Sequence, residues 1–178
     1  MRCRRWPARA ACRPRGADPG ILVSPSDKLA QRLALGVPAL LLGGAFVSQY
    51  VFGLYPCEMC WWQRYAHFAA VGLALVSTVA RPKWAWIALA ALAILASGLI
   101  GAFHAGVEYG WWQGFTACTS TIGSAGGDPL EAIMNAPLVR CDVAPWTLAG
   151  ISLAGFNAIV SVASAVAIFV LLGRSKRA

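Results

Sequence analysis

Four long apolar segments alternate with polar stretches along the chain. They cover about residues 33–52, 61–80, 84–107 and 146–173. Each is near the ~20 residues that an α-helix needs to cross a bilayer. Small residues recur inside the segments, Gly98 and Gly101 among them, and permit helices to approach closely. The pattern predicts an all-α membrane protein, a four-transmembrane-helix bundle with two external loops at about residues 53–60 and 108–145.

The composition agrees with a membrane protein. Of the 178 residues, 58% are hydrophobic and 12% are charged, and the mean hydropathy is +0.62. In soluble domains about a quarter of the residues are charged. An ordinary soluble domain is therefore excluded, and the lipid bilayer is the expected surrounding of the apolar segments.

Positive charge is concentrated in three places, although the formal net charge of +8 at first suggests nucleic acid binding. The N-terminal tail, the turn at residues 81–83 and the C-terminal end carry thirteen of the fifteen Lys and Arg residues. The other two loops carry five of the seven acids: Glu58, Glu108, Asp128, Glu131 and Asp142. Cytoplasmic loops of membrane proteins are rich in Lys and Arg, so both termini are predicted to be cytoplasmic and both acidic loops external. The positive charge is thus explained by the predicted membrane topology and not by a binding surface, and we expect no nucleic acid partner.

Three regions follow from this pattern. Residues 1–30 form a basic cytoplasmic tail whose Arg, Pro and Ala content is typical of disorder. Residues 31–173 form the four-helix membrane domain, and residues 174–178 form a second basic tail. An overlong gene-start assignment, with translation beginning near Val23, is an alternative explanation of the first tail.

Four of the six cysteines belong to the predicted external loops or their edges. Cys57 and Cys60 form a C-x-x-C pair, and Cys118 and Cys141 lie in the second loop. Four thiols in an oxidising compartment suggest two disulfides, for which three connectivities exist. Pairing Cys57 with Cys60 and Cys118 with Cys141 is the most economical. Disulfides that only staple the loops are one alternative, and a zinc site is another, disfavoured because the second loop lacks a C-x-x-C.

Cys60 begins a stripe of polar residues on one face of the second segment. Cys60, Gln63, Arg64 and His67 follow at i, i+3, i+4 and i+7. If the helix begins near Cys60, its macrodipole and the Arg64 charge both favour the Cys60 thiolate. An arginine just inside a membrane helix is costly and is a functional candidate, and snorkelling to lipid phosphates is the alternative.

The chain has two histidines, His67 and His104. His67 is interpreted as an ordinary polar contact between helices. His104 lies near the external end of the third segment, at the level of Arg64. A role in the site and simple capping by a backbone carbonyl are both open for His104.

These residues together resemble the disulfide bond formation protein B (DsbB) family over roughly residues 30–173. The resemblance rests on Cys57-x-x-Cys60-x-x-Gln63-Arg64, four spans, a second-loop cysteine pair and Trp146 five residues after Cys141. The stretch from Phe103 to Glu108, with the aromatic run that follows, also resembles the family's third-helix exit. The basic tail with Cys3 and Cys12 departs from the family's short N-terminus.

The resemblance implies a thiol:quinone oxidoreductase of the bacterial inner membrane. Such an enzyme reoxidises a periplasmic thioredoxin-like dithiol oxidant (DsbA-type) and passes electrons to ubiquinone or menaquinone, an established system that keeps the periplasm oxidising. Carried over by position, Cys118 would form the mixed disulfide with the partner, and Cys141 would then attack Cys57. Cys60 would be freed beside the quinone as the electron donor. Arg64 would hold the quinone, with assistance from His104.

Two rival classes remain. A quinone-linked protein of the vitamin K epoxide reductase type is disfavoured because its C-x-x-C usually lies late in the chain, at a terminal helix. A non-catalytic small transporter or assembly factor with disulfide-stapled external loops is the other. A Cys60→Ser variant separates the classes, because it would only lower stability in a stapled protein but abolish quinone reduction in an oxidase.

Overall fold

A computed structural model describes residues 24–114, 119–120 and 138–175 of the chain. Its long elements are the helices α1 (Pro25–Tyr50), α2 (Glu58–Val79), α3 (Lys83–Glu108) and α4 (Leu153–Ser175). Two antiparallel pairs of two-residue strands lie in the second loop region: β1 (Thr119–Ser120) with β2 (Leu138–Val139), and β3 (Thr147–Leu148) with β4 (Ile151–Ser152). The prediction of a helical membrane protein is confirmed.

The helices form a bundle in which α3 packs most extensively, against α2 and α4. The core at the end away from the first loop is built largely of alanines, such as Ala34, Ala74 and Ala90, that bring the helices close together. Large apolar side chains such as Leu40 and Leu99 point outward, as expected where lipid replaces water.

Three of the described helices, α1, α3 and α4, are long and apolar enough to span a membrane. Helix α2 has a comparable length of 22 residues. Its first half carries Gln63, Arg64 and His67, which lower its hydropathy. The three side chains are buried in the bundle.

Helix α1 begins at Pro25, several residues before the first apolar segment. Ser24 caps it: the Ser24 hydroxyl accepts from the Asp27 N–H at 3.2 Å, and the Asp27 carboxylate accepts from the Ser24 N–H at 3.3 Å. This reciprocal cap, with proline at the first helical position, is a strong helix start. The predicted boundary between residues 30 and 31 therefore lies inside α1.

Helix α2 begins at Glu58, so Cys60 belongs to the first turn and is not the first helical residue. Cys57 is the N-cap, and its sulfur accepts from the Cys60 N–H at 3.4 Å. A sulfur atom here takes the capping role usually held by the oxygen of Ser or Asp. The predicted start near Cys60 was about two residues late, because cysteine is not read as a capping residue from sequence.

The predicted start of the fourth helix near Trp146 is wrong, because a hairpin precedes α4. Strands β3 and β4 are joined by Ala149 and Gly150, with φ of 51° and 79°, the left-handed pair of a tight hairpin turn. The Tyr109 hydroxyl donates to the Gly150 carbonyl at 2.9 Å and accepts from the Ser152 N–H at 3.0 Å. Residues 147–152 are thereby held out of the helix.

The exit of α3 is closed by an aromatic side chain that folds back on the helix. Trp112 donates from Nε1 to the Phe103 carbonyl at 2.9 Å and stacks on the Phe103 ring. Its ring lies directly on Gly106, where any Cβ would overlap it. The end of α3 that carries His104 and Glu108 is therefore firmly positioned.

Candidate active site

The C-x-x-C pair lies at the loop end of α2, with its two sulfur atoms in contact. The Cys57 Sγ–H donates to the Cys60 Sγ at 3.1 Å. Cys57 is 2% exposed and Cys60 is half-buried. The hydrogen bond to Cys60, together with burial, raises the pKa of the Cys57 thiol to about 12. Of the two thiols, Cys57 therefore holds its proton tightly, and the sulfur atoms are close enough for disulfide closure.

Cys141 is brought to the same place from the second loop. The sulfur atoms of Cys57 and Cys141 and a ring nitrogen of His104 all lie within 4.8 Å of one another. The three side chains are buried, and Met59 and Val107 pack around the two sulfurs. The second-loop cysteine expected beside the pair is thus present. Cys118, the other, lies outside the described residues.

His104 contacts Cys57 through Nε2, at 3.5 Å from the sulfur. Its other nitrogen, Nδ1, is 3.0 Å from the Gln63 Nε2. That same Gln63 atom donates to the Met59 carbonyl at 3.2 Å, and a carbonyl can only accept, so it must be the amide nitrogen. His104 therefore accepts at Nδ1 and carries its proton on Nε2, facing Cys57.

Glu108 lies one helical turn after His104, with Oε1 at 3.7 Å from the His104 Nε2. Its other oxygen, Oε2, is buried and has no hydrogen-bond partner among the described residues. Both side chains are almost fully buried. The imidazole N–H is therefore placed between a sulfur atom and a carboxylate, and it can donate a hydrogen bond to either.

Arg64 is held by groups of α1. Its guanidinium donates to the Gln49 Oε1 at 2.5 Å and to the Ala45 carbonyl at 3.1 Å. The Phe46 and Trp61 rings each lie with their centroids 5.1 Å from the guanidinium carbon. Arg64 is 6% exposed, so a fixed positive charge lies inside the bundle, stabilised by hydrogen bonds and cation–π contacts.

A buried polar network connects α2, α3 and α4 below the cysteines. Asn157 of α4 donates from Nδ2 to the Gln63 Oε1 at 2.7 Å and to the Ser97 carbonyl at 3.2 Å. Its Oδ1 lies 2.9 Å from the His67 Nε2. The interpretation of His67 as a polar contact between helices is thus confirmed. The network orients Gln63, and through it the ring of His104.

Two cavities meet at Cys60. One, of about 260 Å³, has largely apolar walls from α1 and α4 and is also lined by Cys60, Gln63, Arg64, His67 and His104. The predicted polar stripe on α2, from Cys60 to His67, therefore lines this cavity. The other, of about 310 Å³, faces the second loop and is lined by Cys57, Cys60, His104, Glu108 and Arg140. Cys60 is thus reachable from both cavities, whereas Cys57 lines only the cavity that faces the second loop.

The cluster of Cys57, His104 and Cys141 also has the donor atoms of a metal site. Thiolate sulfur and imidazole nitrogen are the ligands that zinc prefers, the alternative weighed for the cysteines. Thiols at this spacing are equally what disulfide exchange requires.

Several residues of the site were missed at the sequence level. Asn157 is a lone amide in an apolar segment, and such a polar residue inside a membrane helix is itself a signal. Glu108 follows His104 at i+4, a spacing that places both on one face. Gln49 and Phe46, which hold Arg64, carried no signal, because only the packing of α1 on α2 brings them there.

These features define a helical membrane protein built around a cluster of cysteine thiols. The model of the family described as disulfide bond formation protein DsbB matches residues 27–171. The chain belongs to the DsbB family, which makes it a membrane protein of disulfide bond formation.

Individual relatives agree. The chain is 32% identical over 150 residues to disulfide bond formation protein B of Acidovorax sp. (strain JS42), covering 78% of this chain and 83% of the relative. It is 33% identical over 159 residues to the protein of that name from Verminephrobacter eiseniae, covering 82% and 85%. With the one from Herminiimonas arsenicoxydans it shares 42% identity over 96 residues, 54% of this chain and 56% of the relative. No solved structure significantly matches the chain.

Proposed function

We propose that this protein is an oxidase that accepts electrons from a reduced thioredoxin-like, DsbA-type dithiol protein and passes them to membrane quinone. The observation that carries the proposal is the position of Cys60. Its sulfur touches Cys57, whose sulfur lies within 4.8 Å of that of Cys141, and it lines an apolar cavity that also contains Arg64.

Electrons enter by disulfide exchange. A thiolate of the partner attacks Cys118 of a Cys118–Cys141 disulfide, forming a mixed disulfide and releasing Cys141 as a thiolate. Cys141 attacks Cys57 of a Cys57–Cys60 disulfide, forming a Cys57–Cys141 bond and releasing Cys60 as a thiolate. The partner's second thiolate then attacks the mixed disulfide and the partner leaves oxidised. The freed Cys118 thiolate attacks Cys141 of the Cys57–Cys141 bond, which restores Cys118–Cys141 and leaves Cys57 and Cys60 reduced. Each step replaces one S–S bond by another and needs the attacking sulfur beside the disulfide. The closeness of Cys141 to Cys57 supports the second step.

The residues of the 260 Å³ cavity fit a quinone. Apolar walls suit a lipid-soluble ring, and the polar groups concentrate where Cys60, Arg64 and His104 line the cavity. A quinone supplies an acceptor for the two electrons and two protons that a dithiol gives up. The fixed guanidinium of Arg64 provides the positive charge that stabilises a thiolate at Cys60 and negative charge on the ligand. The Nε2–H of His104 holds a proton beside Cys57.

We further propose that α2 is the fourth membrane span. Its three buried polar residues face the bundle interior, where such groups are found in membrane helices. The membrane redox domain, predicted from residue 31, then begins with α1 at Pro25 and ends at residue 173. Both tails are cytoplasmic, and both cysteine-bearing loops lie in the periplasm. The enclosing membrane is the bacterial inner membrane.

The test is quinone reduction by the purified protein, fed with a reduced DsbA-type oxidant and followed by ultraviolet absorbance. Cys60→Ser should abolish turnover and Arg64→Ala should reduce it, both without loss of membrane insertion. A double Cys3→Ser, Cys12→Ser variant controls for cysteine loss outside the site and should retain turnover. If neither ubiquinone nor menaquinone is reduced by folded, oxidised protein, the proposal fails and the stapled, non-catalytic class is favoured.

A further inference from the structure

One buried histidine of the cavity of about 260 Å³ has a ring nitrogen that makes no hydrogen bond to the described residues. His67 lies one turn beyond Arg64 on α2, is 3% exposed and lines the same cavity of about 260 Å³. Its Nδ1 is buried and makes no hydrogen bond within the part of the chain that the structure describes. A buried polar atom left unpaired is unfavourable, so one that is retained points to a partner beyond the described residues.

The protonation of His67 follows from the orientation of Asn157. The Asn157 amide atom that lies 3.2 Å from the Ser97 carbonyl must be the nitrogen, because a carbonyl only accepts. The atom that faces His67 is therefore the oxygen, at 2.9 Å from Nε2. An oxygen acceptor requires the imidazole to carry its proton on Nε2.

The Nδ1 of His67 is left as an acceptor. The imidazole is buried in a largely apolar cavity that the fixed guanidinium of Arg64 also lines, and the carboxylate in the lining, Glu108, lies beside His104. The two ion pairs found among the described residues are His104–Glu108 and Arg140–Asp142, and neither includes His67. These surroundings disfavour a second proton on the ring, because a buried cation without a counter-charge is costly. A neutral imidazole protonated on Nε2 has a lone pair on Nδ1.

We propose that the Nδ1 of His67 accepts a hydrogen bond from a hydroxyl of the ligand in this cavity, and so binds a quinol in preference to the corresponding quinone. A quinol hydroxyl donates to the lone pair, whereas a quinone carbonyl has only lone pairs to present to it. His67 is then a binding residue that discriminates between the reduced and oxidised ligand. The inference rests on the proposed function, because it takes the cavity to be the quinone site.

Binding is measured in a Cys60→Ser background, so that no electrons pass between protein and ligand. The probes are decylubiquinone and decylubiquinol, titrated calorimetrically in one detergent. The ratio of the two dissociation constants is compared between variants, so partition of each probe into micelles cancels. With native His67 the quinol should bind, and His67→Phe, which keeps the ring but removes both nitrogens, should weaken it by about tenfold. Quinone affinity should change by less than about twofold.

Two further variants separate recognition from structure. His67→Gln offers a carboxamide oxygen as an acceptor and should recover part of the quinol affinity. Leu41→Ala removes only apolar cavity wall and should weaken both probes by the same factor. Thermal unfolding of each variant checks that it is folded.

Equal weakening of both probes in His67→Phe, or no change in either, would overturn the role of His67. Absence of binding of both probes with native His67 would instead overturn the cavity as the quinone site, and with it the proposed function.

Discussion

Cys57 and Cys60 share one motif but differ in chemistry, because they occupy different positions at the start of α2. Cys57 caps the helix, is buried, and donates a hydrogen bond from its S–H to the Cys60 sulfur. That bond, together with burial, raises the pKa of Cys57 to about 12. Cys60 lines both cavities. The difference predicts unequal reactivity toward an alkylating reagent.

In the fully reduced protein at pH 8, iodoacetamide should modify Cys60 at least about tenfold faster than Cys57, since the thiolate is the nucleophile. Peptide mass spectrometry of timed samples measures both rates. Cys60→Ala removes the hydrogen bond that contributes most to the raised pKa of Cys57. The thiolate fraction of Cys57 and its rate of alkylation should therefore rise. Equal rates at the two cysteines of the unmutated protein would contradict this assignment.

Arg64 depends on geometry as well as on charge. Its guanidinium bonds two groups of α1 and lies near two aromatic rings, an arrangement that a lysine ammonium does not reproduce. Arg64→Lys should therefore lower quinone-dependent turnover by about tenfold, the loss expected for one charge-assisted hydrogen bond. The matched control is Arg81→Lys in the turn between α2 and α3, which should leave turnover unchanged. Native turnover in Arg64→Lys would mean that charge alone is sufficient.

At the scale of elements, the contact between α3 and α4 decides whether the site assembles. A Cβ on Gly101 would lie 3.0 Å from both the Ala154 carbonyl oxygen and the Asn157 Nδ2, and one on Gly98 would lie equally close to Ser161 and Val162. Small residues at such spacing are typical of close helix contacts in membranes. Asn157 can therefore reach Gln63 only while position 101 stays small.

Gly101→Leu should push α4 away from α3, lower the stability by about 1–3 kcal/mol through overpacking, and weaken quinone binding. Thermal unfolding in detergent and ligand titration measure the two effects. Gly72→Leu is the matched control, because a Cβ at that position of α2 would meet no atom of another described element within 4 Å. Similar behaviour of the two variants would show that the α3–α4 contact does not position the site.

At the scale of the whole molecule, most of the described basic residues and the cysteine cluster lie at opposite ends of the bundle. The start of α1, the turn between α2 and α3 and the end of α4 share one end, and the cysteine cluster lies at the other. Five of the seven described basic residues lie at the first end: Lys28, Arg32, Arg81, Lys83 and Arg174. In the proposed topology this end is cytoplasmic, as the positive-inside rule predicts.

A green fluorescent protein fused after Ala178 should therefore fluoresce in cells, and alkaline phosphatase fused after Gly114 should be active. A phosphatase fusion after Pro82 is the control for the opposite side and should be inactive. Active phosphatase at Pro82 together with inactive phosphatase at Gly114 would invert the proposed topology.

Much of the helical frame was predictable from the sequence, because it depends on local patterns. The third apolar segment, predicted at residues 84–107, is α3 at Lys83–Glu108. The stripe from Cys60 to His67 lies on one cavity as its helical spacing required. By contrast, the start of α4 depends on Tyr109, 43 residues before Ser152 in the chain, and no local pattern reports such a contact.

The sequence by itself determined the family, the membrane helices and the choice of thiols, because composition, hydrophobic spacing and the C-x-x-C-x-x-Q-R motif are all local properties. Only the tertiary structure decided that Cys141 meets Cys57, that α1 holds Arg64, and that Asn157 and Gln63 orient two histidines. Those relations join residues far apart in the chain, and they exist because close packing of α3 on α2 and α4 brings buried polar groups within hydrogen-bond distance.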